Sequence, residues 1–299
     1  MTQSILLTGA NGFTGKAVSH ALLAKGYKVI ELSGLRGAAV GQIACDLNDR
    51  DSLFGALKDI EVDRVIHLAA ISFVASADTQ EFYRTNVVGT CNLLEALAES
   101  EKRPQQIIIA SSANVYGVPA DEVPLTEESP LFPVNHYACS KLAMEHMART
   151  FRDLLPIAIT RPFNYTGVGQ ANHFLIPKIV DHFAAKSPVI ELGNLDISRD
   201  FTGIDDVVNA YLELIDHDIY GETLNISSGV SISLRDVIDE LSQLSGHSLE
   251  VRSNSDFIRS NEIKNLCGHS GKLQSMTGWK ITQPIRAVLK SMLDAASGR

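Results

Sequence analysis

The sequence of 299 residues has few cysteines, no long apolar run and no excess of basic charge. Its cysteines are too far apart for a zinc-binding pair or a redox dithiol, so we expect reduced thiols in a cytoplasmic protein: Cys45, Cys91, Cys139 and Cys267. Apolar runs such as 107–110 are far shorter than the roughly 20 residues that span a bilayer, which argues against a membrane segment. The N-terminus has no basic region before a long apolar stretch, so we expect no signal peptide.

The charge balance is acidic. With 35 acidic and 26 basic side chains, the formal net charge is −9. A nucleic acid needs a basic surface, so this balance argues against a nucleic-acid partner. Small anionic ligands stay open, because a few well-placed arginines suffice to bind a diphosphate. The length exceeds that of one minimal domain and predicts a nucleotide-binding domain with a smaller lobe.

The glycine-rich segment at residues 8–15 is the most informative part of the sequence. It follows the apolar, strand-like run 4–7 and opens a segment with helical spacing. In this context a diphosphate binds to free N–H groups at the N-terminus of a helix. Gly9 allows a sharp turn, Gly12 lets the backbone approach the diphosphate, and Gly15 lets the helix pack closely on the sheet. The segment therefore predicts a dinucleotide-binding turn.

Strand and helix patterns alternate through the first half of the chain. Strand-like runs at 28–32, 42–46, 64–68 and 105–110 surround helical patterns near 50–58 and 79–101. This order predicts an α/β fold, a doubly wound parallel sheet of Rossmann type. Beyond residue 162 the elements become shorter, and helix-like segments lie at 176–185, 205–215, 236–245 and 285–296. We assign residues 1–165 to an NAD(P)-binding Rossmann domain and 166–299 to a C-terminal α/β substrate-binding lobe, with the chain crossing back around 195–225.

A tyrosine and a lysine four residues apart, Tyr137 and Lys141, lie in a segment with a helical pattern. Residues i and i+4 share a helix face, so the lysine can stand beside the tyrosine. A nearby ammonium stabilises a phenolate, and we therefore expect the pKa of Tyr137 to lie below its usual value near 10. Such a phenol can donate or accept a proton near neutral pH. The pair alone is common, but Ser111 and Ser112 follow a strand between it and the glycine turn.

Together these motifs resemble the extended short-chain dehydrogenases/reductases, a family of nucleotide-sugar epimerases, dehydratases and reductases. The resemblance covers residues 4–279 and includes three further segments, at 67–70, 161–164 and 199–201. It implies that Ser112 and Tyr137 hold the keto or hydroxyl oxygen of the substrate and that Tyr137 transfers the proton. It also implies that Lys141 bonds the nicotinamide ribose. Members of the family commonly form homodimers by pairing the helix near 81–98 with the helix that carries Tyr137.

The resemblance also implies a cofactor site. It assigns the cofactor to Gly9, Asn11, Gly12, Phe13, Gly15, Ser33, Arg36, Asp46, Leu47, Leu68, Ala69, Ala70, Tyr137 and Lys141. NAD-binding members usually carry an acid at the end of the second strand, where this sequence has Ser33, with Arg36 three residues later. A serine leaves room for a 2′-phosphate that the arginine can pair with, which favours NADPH over NADH. Glu31 supports the other interpretation if the strand register is shifted, although a mid-strand position is more typical of a structural residue.

Two neutral residues limit which reaction of this family the sequence predicts. Sugar dehydratases of this family carry an acidic pair after the catalytic serine or threonine, where this sequence has Ala113 and Asn114. Neither side chain acts as a general acid or base, so we do not expect dehydration. Reduction and epimerisation both stay open. Later segments, at 195–201, 259–262 and 267–280, resemble the GDP-mannose branch of the family, which implies NADPH-dependent reduction of GDP-4-dehydro-6-deoxy-D-mannose to GDP-D-rhamnose.

The substrate residues also follow from the resemblance. Arg199 and Arg259 would bind the diphosphate of the substrate, Glu262 would accept from its ribose or base, and Asn164 would contact the sugar. For each arginine, a solvated surface position is the alternative. No metal site is expected, and dTDP and CDP stay open as carriers. The main alternative function is an NAD-dependent nucleotide-sugar epimerase, and a remote one is a protein that senses NADP(H) without catalysis.

Overall fold

A computed structural model describes residues 2–34, 41–72, 78–118, 124–257 and 263–298. Strands and helices alternate through its first half. The strands are β1 (Ser4–Thr8), β2 (Lys28–Ser33), β3 (Ile43–Ala44), β4 (Arg64–His67), β5 (Gln106–Ala110) and β6 (Ile157–Pro162). The helices are α1 (Phe13–Ala24), α2 (Arg50–Leu57), α3 (Thr79–Tyr83), α4 (Thr90–Glu99) and α5 (His136–Arg149). A π-helical segment, Arg84–Gly89, joins α3 to α4, and a 3₁₀ turn, Ala113–Tyr116, follows β5.

Shorter elements make up the second half. The strands are β7 (Asn164–Thr166), β8 (Val189–Leu192), β9 (Ser198–Gly203), β10 (Thr223–Ile226), β11 (Ser231–Ser233), β12 (Glu250–Ser253) and β13 (Asn265–Leu266). The helices are α6 (Leu175–Ala184), α7 (Ile204–Asp216), α8 (Leu234–Ser245), α9 (Gly271–Thr277) and α10 (Ile285–Ala296), with a 3₁₀ turn at Ser255–Phe257. The four helical segments expected here match α6, α7, α8 and α10 to within two residues.

One parallel sheet organises the molecule. Its seven strands lie in the order β3-β2-β1-β4-β5-β6-β10, which confirms the predicted α/β fold of Rossmann type. Side chains alternate between two apolar layers: Ile5 and Leu7 of β1 face the layer of α1 and α7, while Leu6 faces that of α2, α4 and α5. The strand order reverses between β1 and β4, where Thr8 pairs with His67. Open α/β sheets bind ligands at such a reversal, beyond the carboxyl ends of the strands.

A second core lies under the later elements. Helices α6, α8 and α10 surround it, and β7, β9, β11 and β13 form a separate sheet beside it. Strand β10, however, belongs to the main sheet, and α7 packs in the same apolar layer as α1. The two-domain boundary near residue 165 stays an interpretation. Within the described residues, every helix is too short or too polar to cross a bilayer.

Candidate active site

The glycine turn lies at the carboxyl end of β1. Gly9 has a φ of +74°, and its N–H donates to the carbonyl oxygen of Leu32 on β2 at 3.2 Å. A Cβ on Gly9 would lie 2.7 Å from the backbone nitrogen of Ala69, and one on Gly15 would overlap the carbonyl oxygen of Gly9. Gly12 is exposed at the N-cap of α1, and no described side chain caps that helix end. The turn therefore offers a close backbone cradle at the uncapped N-terminus of α1, which fits a dinucleotide diphosphate.

Other predicted cofactor residues lie around this turn. Leu68, Ala69 and Ala70 are half-buried and directly follow β4, beside the end of β1. Asn11 lies within the turn, and Phe13 begins α1 with its ring stacked on Tyr165, at a centroid distance of 6.3 Å. After β3, Leu47 is buried and Asp46 is exposed. These segments gather at one edge of the sheet, and their roles toward a cofactor stay predictions.

The end of β2 carries a buried hydroxyl. Ser33 is the last residue of the strand and 2% exposed, and its Oγ has no hydrogen-bond partner within the described part of the chain. Glu31 is already engaged, because its carboxylate accepts from Ser19 and, at 2.7 Å, from Nε2 of Gln42. These contacts give Glu31 a structural role in this register. Arg36, the predicted partner of a 2′-phosphate, lies outside the described residues.

The predicted catalytic side chains meet where β5 ends against α5. Tyr137 and Lys141 lie on the buried face of α5, whose first turn is capped by Asn135, with Oδ1 accepting from the N–H of Ala138 at 2.8 Å. Ser112 follows β5, and its side chain lies close enough to the Tyr137 phenol to lower the pKa of that phenol. The Lys141 Nζ donates to the carbonyl oxygen of Ala110 at 2.8 Å. The structure thus brings these three side chains together, while their catalytic roles stay predictions.

Burial, and not the lysine, controls the acidity of the phenol. Desolvation raises the pKa of Tyr137 to about 12, the hydrogen bond with Ser112 opposes this rise, and Tyr165 adds to it. Burial also lowers the pKa of Lys141 to about 8. The expectation of a lowered Tyr137 pKa is therefore wrong, because the ammonium bonds a carbonyl on β5 and the loss of water outweighs its charge. At neutral pH Tyr137 is a protonated phenol and is suited to donate a proton.

His67, the last residue of β4, is buried under the same strand ends. Its Nε2 lies 2.8 Å from Oγ1 of Thr90, whose own hydroxyl donates to the carbonyl oxygen of Asn86 at 2.7 Å. The His67 Nε2 therefore carries the proton and donates to Thr90. The opposite nitrogen, Nδ1, accepts from the Thr8 hydroxyl at 2.6 Å. Burial and the nearby charge of Lys141 lower the pKa of His67 to about 3, so this imidazole stays neutral in the folded protein.

This histidine predicts a loss of stability on acidification. Between about pH 6 and pH 4 the unfolded chain protonates residue 67 and the folded chain does not, because its pKa is about 3. The free energy of unfolding should therefore fall with decreasing pH, by about 1.4 kcal/mol per pH unit from this group. Urea unfolding at pH 7, 6 and 5 of the wild type and of His67→Gln measures the effect. Equal pH dependence in the two proteins would contradict it.

The described substrate candidates lie in the second sheet. Asn164 begins β7 and pairs with Phe201 of β9, two residues beyond Arg199. The Arg199 Nη1 donates to the carbonyl oxygens of Ser198 at 2.8 Å and Lys264 at 3.4 Å, so its guanidinium borders the segment that enters β13. Arg259 and Glu262 lie outside the described residues. Contacts of these four residues with a substrate stay predictions, as does the homodimer.

Sequence reasoning missed a buried ion pair beside the lysine. Glu145 is 0% exposed, lies one turn after Lys141 on α5, and pairs with Arg161 of β6, with 2.7 Å between its Oε2 and Nη2. Its spacing was a usable signal, because Tyr137, Lys141 and Glu145 follow each other at four-residue intervals on one helix face. The resemblance marked Arg161 only as part of a motif.

The chain is similar to known nucleotide-sugar enzymes over most of its length. The family model for GDP-mannose 4,6 dehydratase matches residues 6–292. A GDP-6-deoxy-D-talose 4-dehydrogenase of Aggregatibacter actinomycetemcomitans is 35% identical over 96% of each chain. A GDP-6-deoxy-D-mannose reductase of Pseudomonas aeruginosa is 33% identical over 97% of each chain. The structure of RMD from Pseudomonas aeruginosa complexed with NADPH is 31% identical, covers 99% of both chains and has a TM-score of 0.87.

Proposed function

This chain belongs to the GDP-mannose 4,6 dehydratase family, within the extended short-chain dehydrogenases/reductases, and we propose that it reduces the 4-keto group of a GDP-linked 4-keto-6-deoxyhexose with NADPH. It is an NAD(P)-dependent oxidoreductase that acts on a nucleotide sugar. The substrate we propose is GDP-4-dehydro-6-deoxy-D-mannose and the product GDP-D-rhamnose. Two relatives named for GDP-6-deoxyhexoses and a neighbour complexed with NADPH support this choice.

The observation that carries the proposal is the buried Ser112–Tyr137 pair, which lies at the same edge of the sheet as the glycine turn. A neutral phenol beside a serine hydroxyl can hold and protonate a carbonyl oxygen. The adjacent residues offer no second acid or base, since Ala113 is apolar and Asn114 donates from its N and Nδ2 to the Ser112 Oγ, at 3.2 and 3.1 Å. We therefore do not propose dehydration, despite the family's name.

The residues fit a dinucleotide, because the glycines form a close backbone cradle and the buried Ser33 hydroxyl has no hydrogen-bond partner among the described residues. We propose that the turn from Gly9 to Gly15 holds the diphosphate, that Ser33 and Arg36 receive the 2′-phosphate, and that Lys141 bonds the nicotinamide ribose. The remaining assigned cofactor residues would line the same site: Asn11, Phe13, Asp46, Leu47, Leu68, Ala69 and Ala70. NADPH, when bound, supplies the hydride for the sugar carbon.

The side chains of the chain handle the oxygen and the proton. Ser112 and Tyr137 would hydrogen-bond the keto oxygen and stabilise the negative charge that develops there. Tyr137 would give this oxygen its proton, because an alkoxide is a stronger base than a phenolate. The ammonium of Lys141, charged below about pH 8, would then help to stabilise the phenolate. Burial of all three side chains excludes water that would weaken these interactions.

The sugar nucleotide would extend into the second lobe. We propose that Asn164 contacts the sugar, that Arg199 and Arg259 bind the diphosphate, and that Glu262 accepts from the ribose or the base. The names of the two relatives, 6-deoxy-D-talose and 6-deoxy-D-mannose, denote sugars that differ at C4, so the configuration of the new alcohol distinguishes GDP-D-rhamnose from GDP-6-deoxy-D-talose as the product. We further propose a homodimer, as the family resemblance implies.

A substrate panel tests this function. The purified protein is incubated with NADPH and GDP-, dTDP- or CDP-linked 4-keto-6-deoxyhexoses, and the nicotinamide absorbance at 340 nm is followed. We expect oxidation with the GDP sugar and a product identified by NMR as GDP-D-rhamnose. Absence of oxidation with every sugar would exclude the reductase. Tightly bound NAD with interconversion of nucleotide sugars, and no net cofactor turnover, would instead identify an epimerase.

The choice of cofactor has its own test at Ser33. The Ser33→Asp substitution should reverse the preference from NADPH to NADH by about tenfold or more, because the carboxylate repels a 2′-phosphate and accepts from ribose hydroxyls. The ratio of kcat/KM for the two cofactors measures it. Ser33→Ala is the matched control and should keep most of the NADPH preference, because alanine is uncharged, leaves room for the 2′-phosphate and leaves Arg36 to pair with it. An unchanged ratio in the aspartate variant would contradict the assignment.

A further inference from the structure

The buried ion pair between α5 and β6 joins two side chains with opposite charges away from water. Glu145 is 0% and Arg161 2% exposed. The pair is bidentate, with Nε of Arg161 2.9 Å from Oε1 and Nη2 2.7 Å from Oε2 of Glu145. A bidentate arginine–carboxylate pair fixes orientation as well as distance. The stability gained is small, because an apolar pair of similar volume often does as well.

Each partner also holds the turn that contains Ser112. The Ser111 hydroxyl donates to Glu145 Oε1 at 2.6 Å, just before Ser112. At the other end of the turn, Arg161 Nη1 donates to the hydroxyl of Tyr116 at 3.1 Å. Tyr116 in turn donates to Oδ1 of Asn225, on the edge strand β10, at 2.7 Å. The loop with the predicted oxygen-binding serine is thus tied at both ends to one ion pair.

The same pair fixes the helix that carries the other two predicted catalytic residues. Glu145 lies one turn after Lys141 and two turns after Tyr137 on the buried face of α5. Its pairing with Arg161 on β6 anchors this face over the sheet, and the Lys141 Nζ reaches Ala110 at the end of β5. Displacement of α5 or of the turn after β5 would therefore separate the Tyr137 phenol from Ser112.

We propose that Glu145 and Arg161 are positioning residues that hold Ser112, Tyr137 and Lys141 in their working arrangement without contacting substrate or cofactor. The inference rests on the proposed function, since it concerns the same site. It differs from a purely structural role in one respect: the carboxylate of Glu145 also acts on the charge of Lys141. Loss of the pair should therefore change acid–base behaviour and not only stability.

Several charged and titratable groups surround this pair. Lys141 faces Tyr137 and Glu145 on its own helix and His67 on β4, whose imidazole is neutral because its pKa is about 3. Burial lowers the pKa of Lys141 to about 8, and the charge of Glu145 acts in the opposite direction. The other charged neighbours of Glu145 are Arg161 on β6 and Arg149 on α5. Removal of the carboxylate should thus lower the pKa of Lys141 further, and the ammonium should be lost at lower pH.

Two variants test the proposal. Glu145→Gln removes the charge but leaves Arg161 unpaired, which endangers folding, so the double variant Glu145→Leu/Arg161→Met replaces the pair with apolar side chains. In each variant, NMR of lysine labelled with ¹³C at Cε gives the pH midpoint at which the Lys141 ammonium titrates. The signal of Lys141 is assigned because it is missing from the spectrum of Lys141→Met. We expect this midpoint to fall by about one pH unit in Glu145→Gln and by less in the double variant, which also removes the positive charge of Arg161. We also expect kcat at pH 8 to fall about tenfold, with the KM for the nucleotide sugar within about twofold of the wild type.

A matched control separates positioning from destabilisation. Asp206 is a second fully buried carboxylate, on α7, which accepts from the N–H and hydroxyl of Thr282 at 3.0 and 2.6 Å. Asp206→Asn should lower stability but leave the Lys141 midpoint unchanged. A folded double variant with the wild-type midpoint and kcat would overturn the proposal. If the wild type reduces no nucleotide sugar, the proposed function fails, while the Lys141 midpoint still decides whether the ion pair acts on the lysine.

Discussion

Replacement of Tyr137 by phenylalanine should lower kcat by about 10²- to 10⁴-fold, the usual contribution of a positioned general acid. The ring keeps its packing, including the edge-to-face contact with Phe82 at a centroid distance of 6.0 Å, and only the hydroxyl is lost. Folding and cofactor binding should therefore persist. Initial rates at 340 nm measure turnover, and quenching or enhancement of NADPH fluorescence measures binding.

The control for this substitution is a tyrosine far from the proposed chemistry. Tyr220 is 52% exposed, and its hydroxyl donates to the carbonyl oxygen of Arg152 at 2.8 Å. Tyr220→Phe should change kcat by less than about twofold, since an exposed hydrogen bond contributes little. Undiminished turnover in Tyr137→Phe would exclude the phenol as the proton donor. If Tyr137→Phe alters no function of the protein, the result would favour the non-catalytic, NADP(H)-sensing alternative.

Substitution of Gly15 by alanine should abolish tight binding of NADPH. The added methyl group would overlap the carbonyl oxygen of Gly9 and lie 2.8 Å from Cα of Ala10, and neither backbone atom can rotate away as a side chain would. The N-terminus of α1 must therefore move from the turn that we propose holds the diphosphate. We expect the dissociation constant for NADPH to rise at least about 100-fold. We also expect a loss of about 1–3 kcal/mol in the free energy of unfolding.

A glycine in open space provides the comparison. Gly55 lies within α2, and a Cβ there would meet no described atom beyond the neighbouring backbone of its own helix within 4 Å. Gly55→Ala should keep the affinity for NADPH and stabilise the protein by about 0.5–1 kcal/mol, because glycine is unfavourable inside a helix. Fluorescence titration and urea unfolding of the two variants give both quantities. Wild-type affinity in Gly15→Ala would show that the cofactor does not depend on this cradle.

The fold could be predicted because its signals are local. Buried parallel strands give short apolar runs, and helices with one buried face give 3.6-residue periodicity, so α6, α7, α8 and α10 were placed to within two residues. The glycine turn was recognisable because each of its glycines is required for a different steric reason. The spacing of apolar residues, however, does not show where the backbone hydrogen bonds of a helix change from the α to the π pattern. The predicted helix over 79–101 therefore gave no sign of the π-helical segment Arg84–Gly89.

The electrostatics of the candidate site could not be predicted from spacing. The four-residue interval showed that Lys141 lies near Tyr137, but the pKa of the phenol depends on how many atoms other elements place around it. Burial raises that pKa to about 12, and the ammonium bonds Ala110 on another element. The partner of Glu145 is equally non-local, since Arg161 lies 16 residues away on β6. Only tertiary packing brings these groups together.

The most direct test of the account is the transfer of deuterium to the sugar. The protein is incubated with GDP-4-dehydro-6-deoxy-D-mannose and NADPH that carries deuterium at the transferable position of C4, and the product is analysed by mass spectrometry and NMR. The account predicts one deuterium at C4 of the hexose for each NADPH oxidised, and formation of this product at least about 100-fold more slowly with Tyr137→Phe. A sugar nucleotide recovered without deuterium, with the NADPH unconsumed, would contradict it.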